Sequence, residues 1–145
     1  RNIYKSKPKI QFQKWNEIIK GKKICIIGSG NIIINAFEAI KELNKLKIYP
    51  SLISAHTVKP LDKLALKKIF KNFKYIVTLE EHSKIGGLAS SISEFYIENQ
   101  YKNKFLTLNT GENFIIRSGK QQNAISMVEL SANKIKSRIV KFLKK

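Results

Sequence analysis

The chain has 145 residues, 43% of them hydrophobic, and its 28 Lys and Arg against 10 Asp and Glu leave a formal net charge of +18. A chain this long makes one ordinary domain that buries roughly 68–70% of the surface exposed on unfolding, and its hydrophobic content excludes a disordered polymer. The single cysteine, Cys25, excludes an intrachain disulfide and a thiol-held metal cluster and suits a reducing compartment; no run is apolar for long enough to span a membrane as a helix, and no signal peptide is visible.

Residues 1–22 are polar, basic and poorly periodic. They read as a linker, with Ile10-Gln11-Phe12 as a short extended piece and Trp15-Asn16-Glu17-Ile18-Ile19 open between an edge strand and a helical turn. The chain opens on Arg1 rather than Met, as a piece of a longer polypeptide or a processed chain would. The regular domain takes residues 23–145. Its first strand is Ile24-Cys25-Ile26-Ile27, a continuous β-branched run of the kind covered on both faces. Gly28-Ser29-Gly30 then turns the chain into a helix from Asn31 to Leu46, with Ile33, Phe37, Ile40 and Leu43 at helical spacing. A second strand runs from about Tyr49 to Ala55. Pro60-Leu61-Asp62 opens the next helix, with Asp62 as its cap and Leu66, Ile69, Phe70 and Phe73 as its buried stripe. Tyr75 to Leu79 is the third strand. A helix from Gly87 to Gln100 turns Leu88, Ser91, Ile92, Phe95 and Tyr96 inward. Phe105 to Leu108 is the fourth strand, and Ala132 to Leu143 is the last helix, with Ile135, Ile139 and Phe142 on one side.

Strands alternating with helices predict a parallel sheet with helices on both faces and right-handed crossovers. Ligands of such sheets gather at the carboxyl ends of the strands, where strand order reverses. Two stretches fall at carboxyl ends: Gly28-Ser29-Gly30, and Glu80-Glu81-His82 with the following Gly86-Gly87.

Gly28-Ser29-Gly30-Asn31-Ile32-Ile33 starts like a dinucleotide fingerprint, but Ile33 stands where the third glycine belongs. The second strand also ends in Ser54-Ala55-His56, with no acidic residue for a ribose hydroxyl. The plain reading is a tight strand-to-helix turn, whose free amides can still hold an anion. Glu80, Glu81 and His82 carry acid–base chemistry in principle. Adjacent residues of an extended chain point in opposite directions, however, so both carboxylates cannot face one site. One is expected to tie down a loop amide while the other looks outward, with Lys59 as a partner for either. His56 and His82 are the only histidines, too few for a zinc site without a ligand-rich cluster.

The charge invites a nucleic-acid reading. Only Arg1, Arg117 and Arg138 are arginines, however, and the lysines are spread along the chain among many Ile and Asn, a mixture that AT-rich codons produce. Phosphate readers favour arginine forks and interleaved aromatics, so nucleic acid is set aside as a partner.

Taken in order, "KKICIIGSGNIIINAFEAIKEL", "HTVKPLD" and "IVTLEEHSKIGGLASSISEF" resemble the C-terminal domain of transketolase-type thiamine diphosphate-dependent enzymes, a group spanning transketolase, deoxyxylulose-phosphate synthase and the beta subunits of 2-oxoacid dehydrogenases. Residues from about Gly21 to Gln100 carry the match. The tail is looser but keeps Ser118-Gly119 and a closing helix. Glu81-His82 followed by Gly86-Gly87-Leu88 most resembles the separate C-terminal subunit of bacterial two-part transketolases, although the family has a glycine where Ala89 stands.

The resemblance implies a three-layer α/β/α fold around a mostly parallel five-stranded sheet with one antiparallel strand, the extra strand coming from residues before Gly21. It also implies that the strands beginning near Lys23 and Tyr75 are neighbours. In that family thiamine diphosphate and a divalent metal are held by motifs on other domains, absent here, so this domain alone binds no cofactor and supplies no catalytic residue. Most sugar-phosphate contacts also lie elsewhere; Arg1 falls near where the middle domain supplies a phosphate-binding arginine. The implied role is inter-domain packing and homodimer assembly in a cytoplasmic or organelle-matrix ketol transferase. Gly28, Ser29, Gly30, Asn31, Glu80, Glu81, His82, Gly86 and Gly87 are its switch-point or interface candidates. Deoxyxylulose-phosphate synthase, a 2-oxoacid dehydrogenase beta subunit and a stand-alone anion- or nucleotide-binding module stay open as alternatives.

Overall fold

A computed structural model describes residues 8–112 and 128–144; Arg1, Arg117, Ser118 and Gly119 lie outside them. Five strands, β1 (Asn16–Ile19), β2 (Ile24–Ser29), β3 (Ser51–Ser54), β4 (Tyr75–Glu80) and β5 (Lys104–Leu108), form one sheet in the order β1-β3-β2-β4-β5. The pairs β2–β3, β2–β4 and β4–β5 are parallel, and β1 runs antiparallel to β3. The helices among the described residues are α1 (Ile33–Lys45), α2 (Lys63–Asn72), α3 (Leu88–Glu98) and α4 (Ala132–Leu143). This is the expected mostly parallel five-stranded sheet with one antiparallel strand.

Alternation along the central strand divides the interior. Ile24 and Ile26 point into a core built with α1 and α4, while Cys25 and Ile27 point into a second core built with α2 and α3. All four are buried, each adding roughly 1.5–3 kcal/mol if it is fully withdrawn from water. The second core is aromatic, with Phe70 stacked on Tyr101 at 4.5 Å between ring centroids. Burial, with the Glu17 charge adding to it, pushes the Cys25 thiol far above its ordinary range, so it packs as a small hydrophobe.

The stretch left open between strand and helix is a strand. Asn16 pairs with Ser54 and Glu17 with Ile53, and the register then shifts before Ile19. Trp15 anchors it: its indole Nε1 donates to the Thr57 carbonyl at 2.8 Å and its backbone N–H to Asp62 Oδ2 at 2.9 Å. The same Asp62 caps α2 by accepting from the Ala65 N–H at 2.9 Å. Thus "HTVKPLD" joins the leading segment to α2.

Some boundaries differ from the pattern reading. Gly28 and Ser29 finish β2, paired across to Leu79 and Glu80. The turn proper starts at Gly30, whose φ is +80°, and α1 at Ile33. Glu80 finishes β4 for the same reason: ladder bonds to β2 extend past the apolar run. β3 is shorter than expected because Pro50 has no N–H to give a ladder.

Candidate functional site

Chain order leaves β2 for β3 on one side and returns to β4 on the other, so the switch point of this sheet lies between β2 and β4. An open cleft of about 430 Å³ sits there at the carboxyl rim. It is bordered by Ser29 and Gly30 from the β2 side and by Glu80, Glu81, His82 and Gly86-Gly87 from the β4 side, with Val58 and Leu88 between. Seven of the nine expected positions therefore meet at one place. Gly28 and Asn31 do not border it. Gly28 serves packing: a Cβ there would stand 2.8 Å from Ile33 Cγ1. The isoleucine that spoils the dinucleotide fingerprint is thus the residue that Gly28 admits against the strand.

Glu80 is 4% exposed and holds the start of α3. Its Oε2 accepts from the Leu88 N–H at 2.6 Å and its Oε1 from the Ala89 N–H at 2.8 Å. A carboxylate at a helix N-terminus meets both the orphan amides and the positive end of the helix dipole. Gly87, the residue before the helix, has to be without a side chain, because a Cβ there would collide with the Glu80 carboxylate. The anion that this helix start attracts is therefore part of the chain.

Glu81, the next residue, lies just past the end of β4 and is exposed, bordering the same cleft as Glu80. His82 is exposed as well. Its Nδ1 lies 3.0 Å from the Ser83 carbonyl oxygen, a contact that needs the proton on Nδ1. The loop is pinned from a neighbouring connection that the pattern reading missed: the Thr110 N–H donates to the His82 carbonyl at 3.0 Å and the Lys84 N–H to the Gly111 carbonyl at 2.9 Å. Lys84 and Glu112 close the contact as an exposed ion pair of 2.6 Å. Each draws the other away from its ordinary pKa, Glu112 downward and Lys84 upward, chiefly through their hydrogen bond.

These groups do not assemble an acid–base pair. The buried carboxylate accepts from two amides, Glu81 is exposed at the border of the same cleft, and His82 contacts its own loop. Nor do they fit a diphosphate–metal site: among the described residues no group of three or more His, Cys, Asp and Glu stands together as metal ligands. What the arrangement does is hold a loop in shape, with Ile85 standing 74% exposed at its tip. No helix of the described residues is long and apolar enough to cross a membrane.

Comparison with known proteins places the chain in a family. The family described as "Transketolase, C-terminal domain" matches residues 13–135. The 1-deoxy-D-xylulose-5-phosphate synthase of Blochmanniella floridana is 34% identical over 126 residues, which are 86% of this chain and 19% of that protein. The synthase of Clostridium perfringens strain 13 is 32% identical over 136 residues, 93% of this chain and 22% of that one. The chain spans about a fifth of the length of these curated relatives. Among solved structures, a split-gene transketolase described as an inactive beta4 tetramer superposes with a TM-score of 0.85 over 99% of this chain and 46% of that chain, at 24% identity. A Pichia stipitis transketolase in complex with sedoheptulose-7-phosphate gives 0.64 over 91% of this chain and 18% of that chain, at 17% identity. At those identities the likeness is one of fold.

Proposed function

The chain belongs to the transketolase C-terminal domain family, and from that premise we propose that it is the non-catalytic end of a thiamine diphosphate-dependent transferase, whose carboxyl rim mates with the cofactor-bearing domains or with a second subunit. Thiamine diphosphate, held with a divalent metal on those other domains, supplies the carbon–carbon chemistry. Of the carboxylates that border the cleft, the buried one, Glu80, is committed to the α3 amides.

The observation that carries the reading is the build of the rim. Glu80, Gly87 and the Thr110–Glu112 connection hold the 81–87 loop in one shape, and that loop offers solvent an isoleucine and an imidazole. A rigid loop with an apolar tip suits a protein surface, whose anchors are apolar side chains on pre-organised backbone. Homodimer formation of the complete enzyme is part of the same proposal.

Of the enzymes that share this domain, 1-deoxy-D-xylulose-5-phosphate synthase is the better supported, because the sequence relatives at 34% and 32% identity are synthases. A two-part transketolase is the second reading, favoured by the TM-score of 0.85 to the split-gene protein. The test replaces the C-terminal fifth of the Clostridium perfringens synthase, and separately the corresponding fifth of the Pichia stipitis transketolase, by this chain. Restored thiamine-dependent formation of 1-deoxy-D-xylulose-5-phosphate in the first chimera alone supports the synthase; restoration of the second alone supports the transketolase. Thiamine diphosphate held by the isolated chain with metal would overturn the non-catalytic assignment.

A further inference from the structure

The opposite end of the sheet carries a feature that the carboxyl-rim reading does not use. At the amino ends of β2 and β4, beside the carboxyl ends of α1 and α4, lies a cleft of about 350 Å³, within the size range of small-molecule sites. Its walls are apolar: Ile24, Ile48, Tyr75 and Leu143. Its polar edge is cationic, formed by the exposed residues Lys22, Lys23 and Lys47, and among the described residues no carboxylate side chain borders it. Three other clefts are each bordered by at least one: Asp62 beside α2, Glu80 and Glu81 at the carboxyl rim, and Glu129 beside α4.

Two further observations point to a ligand. Lys23 and Lys47 both have positive φ, 63° and 58°, a conformation that costs an L-residue energy and that glycine would occupy more easily. Lys47 sits where helices commonly end on glycine, with the Ile48 N–H donating to the Leu43 carbonyl at 3.1 Å behind it. Lysine at both corners places two charges at the mouth of the cleft. Gln13, Gln100 and Glu129 take the same conformation elsewhere, so what bears on a ligand is that the two lysine corners meet at one cleft. The second observation concerns the rings. Tyr49, 53% exposed, stands at the mouth beside Tyr75, and the Tyr75 ring is held in place by Phe142 edge-on at 5.6 Å and by Lys74 and Lys104, whose Nζ atoms lie 5.4 and 5.8 Å from its centroid.

The frame is fixed by backbone bonds: the Lys22 N–H donates to the Tyr49 carbonyl at 2.7 Å and the Tyr75 N–H to the Lys23 carbonyl at 3.0 Å. From this geometry we propose that the amino-end cleft binds a ligand joining a phosphate to a flat apolar body, of the class of a nucleoside monophosphate. The phosphate lies among Lys22, Lys23 and Lys47, and the body rests on Ile24, Ile48 and Tyr75. The site stands apart from the carboxyl rim and does not depend on the enzyme to which the domain belongs.

The test is calorimetry of the 145-residue chain with adenosine monophosphate at low salt, with inorganic phosphate and adenosine as separate probes. Binding is expected with a dissociation constant on the order of 100 μM, and more weakly for either half alone. The informative variant is Lys23→Gly/Lys47→Gly, which removes two charges and relieves both strained corners, so its melting temperature holds or rises. Its affinity for adenosine monophosphate is expected to fall at least about tenfold. The proposal is overturned if the double variant binds as the parent does, if inorganic phosphate or adenosine alone binds as tightly as the nucleotide, or if no heat of nucleotide binding is found at millimolar ligand. Tighter binding of a single-stranded oligonucleotide through the same lysines would also overturn it, in favour of an extended polyanion surface.

Discussion

The Glu80 carboxylate occupies the space that a side chain on Gly87 would take, and from there it accepts the first two amides of α3. Gly87→Ala therefore displaces a buried anion from two charge-assisted hydrogen bonds. A loss of about 3 kcal/mol is expected in urea unfolding, within the range for such bonds. Gly30→Ala is the control: φ is +80° there, but nothing lies within 4 Å of the added Cβ, so only conformational strain of about 1 kcal/mol is at stake. Equal losses at the two glycines would refute the steric account.

Asp62 serves two chain segments at once, taking the Trp15 N–H and the Ala65 N–H on its two oxygens. Asp62→Ala removes a helix cap and orphans a buried donor, for an expected loss of about 2–3 kcal/mol. Asn keeps the cap and should recover at least half of it. Trp15 is the only tryptophan, so its fluorescence reports the docking of β1 directly. A red shift in Asp62→Ala before global unfolding is expected, and coincident transitions would contradict it.

The Lys84–Glu112 pair sets a pH window for the contact between the two rim loops. Glu112 is held below its ordinary 4.5 by Lys84. Its contribution is therefore present above pH 4.5 and is lost as pH falls through the depressed value. Lys84 is held above its ordinary 10.5, so its contribution is present below pH 10.5 and is lost as pH rises through the raised value. Amide exchange at Lys84 and Thr110 should quicken at both extremes once corrected for intrinsic rates, and should become insensitive to acid in Glu112→Gln. Both side chains are well exposed, 59% and 60%, so the effect is local protection rather than global stability.

Ile85→Asp and Glu81→Lys probe the mating surface. Each is an exposed change expected to move the stability of the isolated chain by less than about 0.5 kcal/mol. In the complete enzyme each should weaken subunit or domain assembly at least tenfold, since apolar anchors carry a disproportionate share of interface energy. Sedimentation of the assembled enzyme gives the answer; unchanged assembly in both variants would remove the rim from the interface.

Much of this molecule could be read locally. The run Ile24–Ile27 announces a strand buried on both faces, and the stripes Leu66-Ile69-Phe70 and Leu88-Ile92-Phe95 announce helices on one side of it, because side-chain period is a property of neighbours in the chain. The candidate site was legible only in outline. Gly28, Ser29 and Gly30 read as one turn, yet Gly28 packs under Ile33 and only Ser29 and Gly30 reach the cleft. The contribution of Thr110 and Gly111 left no mark, since their backbone groups do the work whatever the side chain.

The sequence alone determined the alternation of strand and helix, the two apolar faces of the central strand, and the family. The tertiary structure decided three things that no local window contains. Asn16–Ile19 became a strand because β3 offered an edge and Asp62 a partner for Trp15 beside it. Glu80 rather than Glu81 went inside because the helix amides were waiting on that face. Lysines 25 residues apart, Lys22 and Lys47, came to one cleft, although along the chain the charge looks evenly spread. The reason is common to all three: periodicity is set by bonds along the backbone, whereas pairing, desolvation and the gathering of charge are set by residues that meet only when the sheet closes.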